Sequence, residues 1–387
     1  MYQKVNEKND LTFGTDRVIS VANMYFKTDV YITDPEYLRT YNVFKLGDIA
    51  FEGNRSKNYA HGRFVENTIG DGIVSHVFVV FRPMMEFDLW FWKYAINNER
   101  LMGDVLIRST KSSTMMTDLV VADFLKDNFL VPSLNEQKKI GEFFVEIDRL
   151  ITLHQRECDK LVNVKKAMLE KKFPKDGADK PEIRFAGFTD AWEQRKLEAL
   201  YRKRSERNIN LQFGREDILS VAKMRPYASE RIDISSDDYM KTYNVIRLND
   251  IAFEGHTSKE FEYGRFVLND YGNGIVSHVF DVYEPIVEFD SSFIKEYIHY
   301  EPIMKQILVR STSSARMMNA LKLKEFLQES LRLPKLNEQR KIGKFFDSIN
   351  DLITLHQRAP KKPQKNDFQF NPDKNLITSS TSWFSSS

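Results

Sequence analysis

The sequence predicts an α+β protein with two tandem, pseudo-twofold-related α+β domains joined by long antiparallel coiled-coil helices. Three observations predict it. One long stretch is written twice: "LNEQKKIGEFFVEIDRLITLHQRE" begins at Leu134 and "LNEQRKIGKFFDSINDLITLHQRA" at Leu336. The region ahead of each copy is also duplicated. "YNVFKLGDIAFEGNRSKNYAHGRFV" at Tyr41 returns as "YNVIRLNDIAFEGHTSKEFEYGRFV" at Tyr243, and "GIVSHVF" at Gly72 returns at Gly274. Within each copy, short runs rich in Val, Ile and Phe, bounded by Gly and Pro, alternate with segments of helical spacing.

The elements follow in order. Gly72–Phe81 ("GIVSHVFVVF") reads as a strand stopped by Pro83. Asp88–Ile107 has the spacing of a helix. The pairs share an offset of about 202 residues, and roughly 27 of 43 positions are identical from Tyr41 to Pro83. A period this long describes a duplicated domain plus helix, not a solenoid of 20–50-residue repeats. "PKDGADKP" (Pro174–Pro181) is a polar linker.

The repeated helix starts after Pro132, where Ser133 or Asn135 can cap it. From Asn135 to Lys172 it would be on the order of 55 Å long. Its apolar residues fall three and four apart at Ile140, Phe144, Ile147, Ile151, Leu161 and Met168, with His154 and Cys158 on the same seam. Ile342, Phe346, Ile349 and Ile353 form the matching stripe. A lone exposed helix with such a stripe needs a partner. The two stripes are expected to pair and act as a ruler between the domains, in preference to each helix packing on its own domain.

Composition narrows the function. The chain has 387 residues, with 42% hydrophobic residues, a net charge of +2 and one cysteine, Cys158. An internal disulfide is therefore impossible, and a reducing cytoplasmic location is expected. No run approaches the roughly 18 apolar residues of a membrane span, and the polar N-terminus does not resemble a secretory signal. Any nucleic-acid surface must be local, because bulk charge does not announce one. There is no P-loop, no H-E-x-x-H and no paired cysteines. "GDG" at Gly70 and "GNG" at Gly272 read as hairpin turns, and His76 and His278 as core or edge residues. Asp48 with Glu52, and Asp250 with Glu254, read as structural carboxylates rather than a nuclease site.

Here the residues carry a family resemblance. "LNEQKKIGEFFVEIDRLITLHQRECDKLVNVKKAMLEKKFP" followed by "EIRFAGFTDAWEQRKLEAL" resembles the central conserved region of type I restriction–modification specificity subunits. With the duplication, the resemblance covers the chain to about Arg358. It implies a non-catalytic chain in which each target-recognition domain reads half of a split double-stranded DNA site. It also implies two modification subunits, which methylate adenine, and restriction subunits. The chain itself would hold no cofactor; S-adenosylmethionine, ATP and Mg would belong to the partners. The domains read as 1–133, first target-recognition domain, N-terminally shortened; 134–174, central helix; 175–181, linker; 182–335, second target-recognition domain; 336–359, shortened second helix; and 360–387, a disordered, atypical tail. The alternatives are a coiled-coil adaptor that ignores DNA, or a stand-alone nuclease or methyltransferase.

Under this reading two loops per copy are candidates for DNA contact, because they are dense in donors and lack core spacing. One is Asn54, Arg55, Ser56 and Lys57, matched by His256, Thr257, Ser258 and Lys259. The other is Arg108, Ser109, Thr110, Lys111 and Ser112 on to Thr114, matched by Arg310, Ser311, Thr312, Ser313 and on to Arg316. Arg63 and Arg265 are candidate phosphate clamps. The segment Tyr25–Arg39 against Arg225–Lys241 is a further candidate for variation. Two departures stand out. The first copy lacks a counterpart of Glu182–Leu200, with Trp192. The second helix meets Pro360 and Pro363, which would expose the Cys158–Met168 seam or leave it to a modification subunit or another copy.

Overall fold

The computed structural model describes residues 1–112, 116–175, 177–227, 236–314 and 318–358. It divides into two compact units, Met1–Leu153 and His154–Ser387. The expected tail, 360–387, lies outside the described residues.

Each unit is built on the same frame. In the first, a four-stranded antiparallel sheet runs in the order Tyr2–Lys4, Val79–Pro83, Ile49–Glu52, Arg63–Glu66. In the second, the order is Tyr201–Lys203, Val282–Pro285, Ile251–Glu254, Arg265–Leu268. The registers repeat: Ile49 opposes Glu66 as Ile251 opposes Leu268, and Tyr2 opposes Pro83 as Tyr201 opposes Pro285. Buried rings fill the interior in the same pattern. Phe64 stacks on Phe124 at 4.5 Å in the first unit, and Phe266 on Phe326 at 4.7 Å in the second.

Helices follow each sheet. In the first unit these are α1 (Leu89–Ala95), α2 (Glu99–Ser109), α3 (Val121–Lys126) and the start of α4 (Leu134–Lys172). In the second, α5 (Asp237–Met240) comes before Ile251–Glu254, and α6 (Ser291–His299), α7 (Glu301–Ser311), α8 (Leu323–Gln328) and α9 (Leu336–Arg358) follow the sheet.

Two predicted elements divide. Gly72–Phe81 is not one strand. Gly72–Val74 pairs with Asn42–Phe44, and the chain turns through Ser75–Phe78 before Val79–Pro83 enters the main sheet. His76 and Val77 are exposed at that turn, and His278 is exposed at its counterpart, so these histidines are turn residues and not core. Asp88–Ile107 splits into α1 and α2, because the Asn98 side chain accepts from the Arg100 N–H and caps a fresh helix.

The repeated L-N-E-Q-x-K-I-G motif has a structural task. Gln137 is 4% exposed; its Oε1 accepts from the Asp88 N–H (3.1 Å) and its Nε2 donates to Pro132 O (2.9 Å). Gln339 does the same with Asp290 (3.1 Å) and Pro334 (3.0 Å). A Cβ on Gly141 would lie 2.4 Å from Asp88 Oδ1, and one on Gly343 2.1 Å from Asp290 Oδ1. The motif therefore clamps each long helix against the capped start of α1 or α6 in its own unit.

This corrects the expectation for the first part of the stripe, Ile140 and Phe144, while Met168 meets Ile342, Phe346, Ile349 and Ile353 in one core. Ile140 packs with Phe91, Trp92 and Ala95, and Phe144 lies 4.9 Å from Tyr94, whose hydroxyl donates to Asp148 at 2.6 Å. Ile147 and Ile151 are half-buried. Ile342, Phe346 and Ile349, with Ile353 beside them, belong to the core of the second unit. Helix pairing occurs within the second unit. His154 Nδ1 of α4 lies 3.1 Å from His356 Nδ1 of α9, and Phe173, just past α4, packs 5.7 Å from Phe346. The numbering rises along α4 as it falls along α9, so these segments are antiparallel. The Cys158–Met168 seam is not left bare: Cys158 is 6% exposed, Leu161 is half-buried, and Met168 joins the core around Phe173.

Candidate nucleic-acid interface

The frame brings the two candidate loops of each unit together. In the first unit the hairpin Thr110–Ser112/Thr117–Leu119 sits beside the turn after Ile49–Glu52. Thr117 N–H donates to Gly53 O at 2.8 Å, and Arg55 Nε donates to Thr117 Oγ1 at 3.1 Å. In the second unit the hairpin Thr312–Ser313/Ala320–Leu321 meets the matching turn, with Asn319 N–H donating to Gly255 O at 2.8 Å. A Cβ on Gly255 would lie 2.0 Å from Asn319 O, and one on Gly53 2.2 Å from Thr117 O, so only glycine permits the approach. Ser56 and Ser258 shape the turn tips through backbone bonds to Tyr59 and Phe261.

The loops then separate into framework and surface. Asn54, Arg55, Ser56, Lys57, Lys111 and Ser112 are exposed, as are His256, Thr257, Ser258, Lys259 and Ser313. Arg316 and Thr114 lie outside the described residues. The others are engaged inside their own unit, which corrects the reading of "RST" as a loop. Arg108 and Ser109 form the last turn of α2, and Arg310 and Ser311 that of α7. Ser109 Oγ donates to Val105 O and Thr110 Oγ1 to Leu106 O; Ser311 and Thr312 repeat this with Ile307 and Leu308. Arg108 makes two bonds to Asp127, both 2.9 Å, and Arg310 two to Glu329, at 2.7 and 2.6 Å. The Arg108 guanidinium holds the Asp127 carboxyl below its usual range. Thr110 is half-buried.

Arg63 and Arg265 are likewise not free clamps. Arg63 Nε donates to Glu52 (2.6 Å) and Nη2 to Ala22 O (2.9 Å), with its guanidinium over the Tyr59 ring. Arg265 repeats this with Glu254, Ala222 and Phe261. Arg63 ties its sheet to the Ser20–Met24 turn, and Arg265 ties its own to the Ser220–Met224 turn. The carboxylates Asp48 and Asp250 are 1% exposed and paired with arginines, in keeping with a structural role.

Beside Asn54 the first unit opens a groove of about 270 Å³, lined by Ser20, Lys27, Tyr41, Asn54 and Ser75 over Ile19, Val21 and Phe78. Lys27, Tyr41 and Ser75 were not singled out as individual site residues. The signal was the variable segment Tyr25–Arg39, which contains Lys27. At the matching positions the second unit keeps Tyr243 and Ser277 but replaces Lys27 by Tyr227 and Asn54 by His256. His256 lies 6.4 Å from the Phe280 ring. The walls are thus shared, while two groups that can bond a base edge or a phosphate differ.

No protein-family model matches the chain, and no curated protein matches it. Solved structures do. A chain from a structure on complex assembly and conformational transition of the type I restriction–modification system covers 93% of this chain and 92% of its own, at 16% identity and a TM-score of 0.51. The fold is that of a type I restriction–modification chain. An HsdS subunit from Thermoanaerobacter tengcongensis aligns over 92% of this chain and 91% of its own, at 16% identity and a TM-score of 0.48. The S subunit of the type I system of M. genitalium aligns over 92% and 88%, at 14% identity and a TM-score of 0.49. Among the described residues, no cluster of three metal-ligating side chains occurs, and no helix is long and apolar enough to cross a membrane.

Proposed function

We propose that the chain is the DNA sequence-specificity subunit of a type I restriction–modification complex, each unit reading one half of a bipartite site. One observation carries this reading. A repeated frame holds two exposed polar segments side by side in each unit, and those segments differ between the units at Asn54/His256, Arg55/Thr257 and Lys111/Ser313. Such a division suits one protein that must read two half-sites from one scaffold. Framework contacts position, and variable side chains specify. The chain does no chemistry in this reading. Two modification subunits, using S-adenosylmethionine, methylate adenine in each half-site. Restriction subunits, using ATP and Mg, cut. The half-sites are closely related, inverted, and separated by a spacer that is not read.

The test is binding to duplex DNA across a salt series, with the full chain in complex with its modification subunits. Affinity falls steeply as salt rises, because each phosphate contact releases counterions. Lys57→Ala, at a position that both units share, lowers the salt slope by about 1 without changing the preferred sequence. A complex that binds DNA no better at low salt than at high salt contradicts the proposal.

A further inference from the structure

Antiparallel pairing of two copies of one sequence brings like residues face to face where the copies cross. In α4 and α9 that place belongs to the histidine of the repeated "LITLHQR". His154 Nδ1 lies 3.1 Å from His356 Nδ1, 202 residues away in the chain, with ring centroids 5.3 Å apart. The neighbouring seam positions, Ile151, Cys158 and Ile353, carry apolar side chains or a thiol. A polar pair on such a seam costs stability relative to apolar residues unless each member finds a partner. Both imidazoles are half-buried, so water and small ions reach them.

The spacing is that of two ligands of one ion. Bonds of about 2.0–2.1 Å from zinc to imidazole set two nitrogens of a tetrahedral shell about 3.3 Å apart. The rings need only turn and part by roughly 0.2 Å to share an ion. Glu157, three residues beyond His154 on the same helix face, adds negative charge nearby. Lys160, 2.7 Å away, and after it His356 hold the Glu157 carboxyl below its usual range.

We propose that His154 and His356 are the two protein ligands of a divalent transition-metal site that clips α4 to α9 in the second unit. Water completes the shell, since among the described residues no group of three ligating side chains forms. Both rings bind through Nδ1 as the neutral tautomer that keeps its proton on Nε2. Imidazole suits zinc, nickel and copper, whereas magnesium and calcium take oxygen ligands. Because the ligands come from helices far apart in sequence, the ion holds the second unit in its paired state and stabilises it. The site stands apart from DNA reading.

The test titrates zinc chloride into the tag-free full chain by calorimetry, with hydrogen exchange read in parallel. One equivalent binds with a dissociation constant in the micromolar range, excess magnesium does not displace it, and exchange slows in α9 around His356. His154→Gln and His356→Gln each weaken binding at least about tenfold and abolish the slowed exchange. Each glutamine offers an amide that can bond the remaining ring, so both variants unfold without metal as cooperatively as the parent. His76→Gln, at an exposed turn, leaves binding unchanged. Absence of binding at one equivalent, or binding that survives either His154→Gln or His356→Gln, overturns the proposal and leaves a hydrogen-bonded pair that only sets helix register.

Discussion

At the scale of single residues, the repeat shows which interactions are required and which are only placed. Asp48 and Asp250 occupy the same buried position, and each is matched by an arginine, but from different strands. Asp48 bonds Arg82 of Val79–Pro83, which also reaches Glu7. At the position of Arg82 the second unit has Glu284, and its arginine is Arg204, at the position of Val5. A buried carboxylate tolerates either donor but not the loss of both. Arg82→Ala should therefore lower the stability of the first unit by roughly 3–5 kcal/mol in denaturant titration, while Arg82→Glu with Val5→Arg recovers most of that loss. Glu66 is a different case. It is 4% exposed, its Oε2 has no hydrogen-bond partner among the described residues, and the second unit has Leu268 there. Burial, with the nearby Asp88 charge adding, pushes its carboxyl up to about 9. The unfolded chain releases this proton at ordinary carboxyl pH, and the folded chain keeps it. Its contribution is thus most favourable below about pH 4.5 and erodes as pH rises to about 9. Glu66→Leu should stabilise the first unit by about 1–3 kcal/mol at neutral pH and flatten its stability profile from pH 5 to 9. The carboxylates were visible in the sequence as structural candidates. Their partners were not, because cross-strand pairing depends on register, and the arginine changes strand between copies.

At the scale of elements, the long helix and its repeat were legible because a 39-residue run without proline has few other fates. Its stripe was harder to read. Apolar spacing shows that a face is buried but not against what, so the same residues fit a helix pair or a domain surface. The deciding residues are Gln137 and Gly141, which make sense only against the capped start of α1. Gly141→Ala raises helix propensity, yet should lower thermal stability by about 1–3 kcal/mol through overpacking against Asp88. A stabilised variant would show that the clamp is loose. The "RST" segment misled for a similar reason. Ser and Thr at a helix end donate back to carbonyls one turn earlier, so polar composition there marks a helix terminus as readily as a surface loop.

At the scale of the whole molecule, duplication is the strongest statement the sequence makes, and it is one about function. Two copies of a frame keep the same buried rings, the same helix clamp and the same junction between turn and hairpin. Part of the variation between the copies lies at exposed positions of the two loops and in the groove beside Asn54. The groove was not legible beforehand because its walls come from segments far apart in the chain, brought together only by the sheet. The most direct test of the account maps adenine methylation in cells that express this chain with its modification subunits, beside the variant Lys27→Tyr, Asn54→His, Arg55→Thr. The account predicts a bipartite site of two related, inverted half-sites, one of which shifts toward the other in the variant while the spacer stays the same. A single contiguous site, or one the variant leaves unchanged in both halves, would contradict it.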